Sequence, residues 1–108
     1  MEHKYGFFDD EQIKKYKVVL HKDLFWLLLY KDPKTRDEYA YVNFHKYFDS
    51  LMRKISGLNE LLFCPTEIVT MLSLLEAALI ESNRENFDYQ IYRKLVLDAH
   101  AEIDKIGG

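Results

Sequence analysis

Histidine and aspartate recur four residues apart at two places, His45 with Asp49 and His100 with Asp104. On a helix this spacing sets both side chains on one face, where an imidazole and a carboxylate can share a metal ion or a proton. A zinc site needs three or four protein ligands, and neither pair has a third beside it in the chain. The Glu-x-x-His tetrapeptide of di-metal carboxylate bundles does not occur. Both pairs therefore read as solvent-facing polar pairs, with no metal and no cofactor expected. Cys64, the one cysteine, precedes Pro65-Thr66-Glu67 at the start of a helix, where the helix dipole can lower a thiol pKa. No ordered His/Asn motif accompanies it, so it reads as a small buried hydrophobe beside Phe63. None of the four glycines forms a phosphate-cradling loop.

One segment suggests an enzyme. Arg93-Lys94-Leu95-Val96-Leu97-Asp98-Ala99-His100 resembles the Arg-x(4–6)-His signature of the HEPN family. The resemblance implies an all-helical domain of similar size. It also implies a dimeric, metal-independent ribonuclease, with Arg93 and His100 as catalytic residues facing a cleft at the dimer interface. It covers these two positions and the helical class, and Lys94 departs from the small polar residue that commonly follows the Arg. Helical spacing groups Arg93, Leu97, His100 and Asp104 on one face, opposite an Ile91–Leu95–Ala99 stripe. Asp32-Pro33-Lys34 and the turn into the last helix are in turn similar to enterocin-type bacteriocin immunity proteins, cytosolic four-helix bundles of about this length. That likeness implies a protective binding protein and no catalysis.

The elements that must position these residues are helical. Leu24-Phe25-Trp26-Leu27-Leu28-Leu29-Tyr30 holds the only tryptophan and is the most apolar run of the chain. A helix through it has no polar side and must be covered all round. A chain this short covers only part of it, so Phe25, Trp26, Leu29 and Tyr30 are expected at an interface with a second copy or another protein, the alternative being a central core helix. Asp9 as N-cap with Gln12 at N3 is a capping-box variant, and Ile13, Tyr16, Leu20, Leu24, Leu27 and Leu28 form a stripe. They predict helix 1 over about 10–31, ended by Asp32-Pro33. Thr35-Arg36-Asp37-Glu38 matches a capping box and predicts helix through 39–44. The alternative, from the β-favouring Tyr39-Ala40-Tyr41-Val42, is a hairpin with 24–30.

Phe44, Phe48, Leu51, Ile55, Leu58 and Leu62 predict helix 2, running through Ser56-Gly57 to about Phe63. Pro65, at N1 or just before a Thr66 N-cap, opens helix 3 over 66–82. Phe87-Asp88, with Tyr92 at the staple position, opens helix 4 over 88–106. It is expected to bury Ile91, Tyr92, Leu95, Ala99, Ile103 and Ile106.

Four such helices on short connections predict an all-α fold, a four-helix antiparallel up-down bundle forming one domain over 1–108, with a homodimer as the expected assembly. The 108 residues are 48% hydrophobic and 31% charged, a globular composition. Net charge is −3, and Lys14, Lys15 and Lys17 stand beside Asp9, Asp10 and Glu11. No basic patch indicates nucleic acid. A single cysteine rules out an intrachain disulfide, and the longest apolar run, seven residues, is far short of the ~20 that span a bilayer. With no signal-peptide pattern at the N-terminus, the expectation is a cytoplasmic, non-catalytic interaction or regulatory protein.

Overall fold

The computed structural model describes residues 1–107. It is an all-α four-helix bundle: α1 Asp10–Lys31, α2 Phe44–Leu61, α3 Thr66–Ser82 and α4 Tyr89–Ile103. A two-stranded antiparallel hairpin, β1 Glu2–His3 with β2 Gly6–Phe7, occupies the expected lead-in. It is tied to the bundle by the Lys4 amide donating to the Leu61 carbonyl at 2.9 Å. α3 and α4 share the most extensive contact, α1 lies mainly on α4 and α2 on α3, while α1 and α2 touch only sparsely. Among the described residues no helix is long and apolar enough to cross a membrane.

Local chemistry accounts for most helix ends. The Asp9 carboxylate accepts from the Gln12 amide at 2.8 Å and the Gln12 side chain accepts from the Asp9 amide at 2.9 Å, closing the capping box. At α4 the Asp88 carboxylate accepts from the Gln90 amide at 2.9 Å, and Phe87 meets Tyr92 edge-on at 5.7 Å, the expected staple. Glu81, buried at the end of α3, closes the α3–α4 turn. Its carboxylate accepts from Arg84 at 3.3 Å and from the Asp88 amide at 3.4 Å, so the buried charge is satisfied. α2 runs through Ser56-Gly57 unbroken.

Four expectations need correction. First, residues 33–41 are consecutive turns, neither helix nor strand. The Thr35 hydroxyl is engaged elsewhere, donating to the Leu29 carbonyl at 2.7 Å near the end of α1. Asn43 caps α2 instead, accepting from the Lys46 amide at 3.1 Å. Second, Pro65 occupies the N-cap itself, so Thr66 is already helical. Third, Cys64 is exposed, and Phe63 beside it is exposed as well. Both adopt left-handed backbone, φ 64° and 55°, in the tight reversal between α2 and α3. Fourth, the α4 core stripe is Tyr92–Val96–Ala99–Ile103, continued by Ile106 in the turn that follows the helix, while Ile91 is exposed. Tyr92, Ala99, Ile103 and Ile106 are buried as expected, but contact with α1 on one flank and α3 on the other brings Val96 inward and leaves Leu95 half-buried.

The core joins Leu20, Leu24 and Leu27 of α1 to Phe48, Leu51 and Ile55 of α2. Ile68, Met71, Leu75 and Ala78 of α3 and the α4 stripe complete it.

Candidate functional site

The α1–α4 seam carries a line of polar contacts. At one end Tyr89 donates to the Leu28 carbonyl at 3.3 Å and Tyr92 to the Leu27 carbonyl at 2.7 Å. About two turns of α1 nearer its N-terminus the line reaches His21, His100 and Asp104. The His21 and His100 rings lie 4.0 Å apart between centroids. His21 Nε2 is 2.9 Å from Asp104 Oδ1, and His21 Nδ1 is 2.7 Å from His100 Nε2. Lys17 Nζ donates to the Asp104 carbonyl at 3.3 Å.

A carboxylate accepting from His21 Nε2–H leaves Nδ1 as the acceptor for His100 Nε2–H. The three side chains thus form a string along which one proton can be held or passed. They do not converge: both nitrogens of His21 are engaged, on opposite sides of its ring. Among the described residues no group of three His, Cys, Asp or Glu side chains is arranged to hold a metal ion.

His100 is therefore half-buried against α1, not facing solvent as expected, because α1 covers this flank of α4, while Asp104 stays exposed as expected and reaches His21 from the end of the helix. His21 could not be read from the sequence, since its helix lies 79 positions away and only the tertiary contact pairs it with His100. Arg93 lies on the same flank of α4 but is exposed. It stands seven positions from His100, a rise of about 10 Å, and makes no ion pair with any described residue. His45 is exposed, and Asp49 pairs with Arg53 at 3.1 Å.

Burial holds the His100 imidazolium below the ordinary histidine range, the adjoining His21 pushes the same way, and Asp104 offsets part of this. The unfolded chain therefore takes up this proton at a higher pH than the folded chain. The contribution to stability is fully present above about pH 6.5 and is lost as pH falls through the depressed folded value. Urea midpoints of wild type and His100→Gln, measured from about pH 7.5 to 5, should run parallel at the upper end and converge or cross toward the lower. Curves parallel throughout would contradict this account.

The residues expected at an interface sit differently from one another. Trp26 is half-buried, with Tyr30 stacked on it at 5.8 Å and Tyr39 edge-on at 5.6 Å. Tyr39 belongs to the α1–α2 connection, which folds back over this side of α1. Tyr30 meets Tyr47 of α2 at 5.1 Å, and Leu29 is half-buried. Phe25 stays 51% exposed, and three residues nearer the N-terminus join it: Val18 at 60%, Val19 at 43% and Tyr16 at 39%. Val18 and Phe25 are seven apart, two helical turns, so both lie on the side of α1 away from Leu20, Leu24 and Leu27. The signal for them was present, two adjacent β-branched residues off the main stripe. Comparison of the chain with known protein families, curated proteins and solved structures finds no match.

Proposed function

We propose that this protein is a non-catalytic interaction module that meets a second protein chain through the apolar surface of α1, from Trp26 and Phe25 toward Val18 and Val19. One observation carries the reading: the helix with the most apolar run in the chain leaves Phe25 half exposed and Val18 more so. Soluble domains hold large apolar side chains together at their surface chiefly where something covers them. The overall shape supports it. The radius of gyration is 14.4 Å, against about 13 Å for a compact chain of this length. The accessible surface is 6936 Å², against about 6,300 Å² for a compact monomer of this mass.

Helix-length peptides from a random displayed library, selected on the wild-type protein, test this reading. Phe25→Ser or Val19→Ser should weaken the enriched peptides about tenfold, some 1.4 kcal/mol. Arg93→Ala and His100→Ala should change nothing. Light scattering over a dilution series, with Trp26 emission, reports whether a second copy takes the same surface. If no peptide depends on the α1 positions and the mass stays monomeric at every concentration, the reading is wrong. RNA cleavage lost on substituting Arg93 or His100 would replace it with the ribonuclease alternative.

A further inference from the structure

Because α1 and α2 touch only sparsely, a groove runs between them. Its floor is Tyr16, Val19 and Leu20 from α1 with Gly57, Leu58 and Leu61 from α2. It is continuous, across Tyr16, Val19 and Lys54, with a hollow of about 380 Å³ that reaches Phe8, Gln12 and Lys15. Gly57 matters to its depth, since a Cβ at that position would meet nothing within 4 Å. From Gln12 to Asp23 the groove follows α1 for about 16 Å, three turns of an incoming helix.

The α1 lip of this groove is basic although the whole chain has a net charge of −3. Lys15 and Lys22 are exposed at helical spacing along the α1 lip, and neither forms an ion pair with a described residue. On the α2 lip Lys54 pairs with Asp23 at 2.8 Å, closing one end, and Arg53 pairs with Asp49 at 3.1 Å, so the free cations are those of α1. An apolar floor beside a cationic α1 lip fits a helix with apolar anchors at i, i+3, i+4 and i+7 and carboxylates along the edge that meets α1.

We infer that the α1–α2 groove receives an acidic amphipathic helix of another protein, an inference that rests on the interaction-module reading and names its partner's chemistry. A second copy fits less well. α3 carries Glu67 and Glu76 outside the core and no cation, with Val69 and Ile80 exposed, so it offers some complementarity. Seating α3 of one copy in the groove of the next is a head-to-tail contact, which leaves a free groove at the end of every chain and grows into open assemblies.

The test uses three labelled helical peptides with one apolar face, flanked by Glu, by Gln or by Lys, and fluorescence anisotropy with the full chain. The Glu peptide should bind at least about tenfold tighter than the Lys peptide and weaken as salt rises. Lys15→Glu with Lys22→Glu should remove that preference. Gly57→Leu fills the groove at a helical position where leucine is the better helix former, so it should abolish binding while the thermal midpoint is kept. The inference is overturned if the Lys or Gln peptide binds as well as the Glu peptide, or if Gly57→Leu binds normally. Peptide binding that depends on Phe25 but not on charge or Gly57 would leave the interaction-module reading standing without this groove. A Gly57-dependent rise in solution mass without peptide would assign the groove to a second copy instead.

Discussion

Tyr92→Ala should lower the unfolding free energy by about 3–5 kcal/mol, the usual cost of emptying a buried aromatic site. The ring is fully buried, with Phe44 at 6.4 Å and Phe87 at 5.7 Å between centroids. Its hydroxyl crosses the α1–α4 seam to the Leu27 carbonyl at 2.7 Å, and burial raises the phenol's pKa far above its usual range, so the donor stays protonated. The hydroxyl and the ring separate experimentally. Tyr92→Phe keeps the packing and should cost only about 0.5–1.5 kcal/mol, the net worth of one hydrogen bond. Urea unfolding followed by circular dichroism measures both. A Phe variant as damaged as the Ala variant would mean that the seam depends on the bond and not on the ring. An Ala variant losing less than about 1 kcal/mol would mean that α4 does not pack on α1 through this residue.

The second large effect is a contrast between neighbours. Leu24 is fully buried and Phe25 is half exposed, although both belong to one unbroken apolar run. Leu24→Ala should cost about 2–5 kcal/mol through a cavity that the bundle only partly closes. Phe25→Ser should change stability by no more than about 0.5 kcal/mol, as for other surface substitutions. This comparison bears directly on function. If Phe25→Ser costs as much as Leu24→Ala, α1 is covered on all sides within one chain, and the surface proposed for a partner is core. If Phe25→Ser is neutral, the protein carries that ring for something other than its own fold.

The reach of the sequence can be judged element by element. α1 and α3 were legible to within a residue at both ends. The capping box at Asp9 and Gln12 and the cap and staple at Asp88, Phe87 and Tyr92 use contacts within one helical turn, which adjacent residues specify by themselves. The 39–44 segment was misread because its capping-box pattern at Thr35 competed with a tertiary use of the same hydroxyl, the carbonyl of Leu29. α4 buries Tyr92, Ala99, Ile103 and Ile106 as expected, but it ends at Ile103 rather than 106, and Val96 takes the core place expected of Ile91 and Leu95. Its apolar residues cover more than half the circumference, so periodicity alone does not say which stripe faces inward.

The candidate site was less legible still, since the pairing of His21 with His100 and the return of Tyr39 over Trp26 join residues far apart in the chain. Sequence by itself determined the all-α class, the four helices, their caps and the excess of apolar surface on α1, because each follows from spacing over a few turns. Only the tertiary structure decided where that excess lies. The α1–α2 connection covers Trp26, the sparse contact of α1 with α2 leaves Tyr16 and Val19 open, and Val18 and Phe25 lie on the outer side of α1. Such coverage depends on how whole helices pack, and helix packing is set by side chains from every element at once.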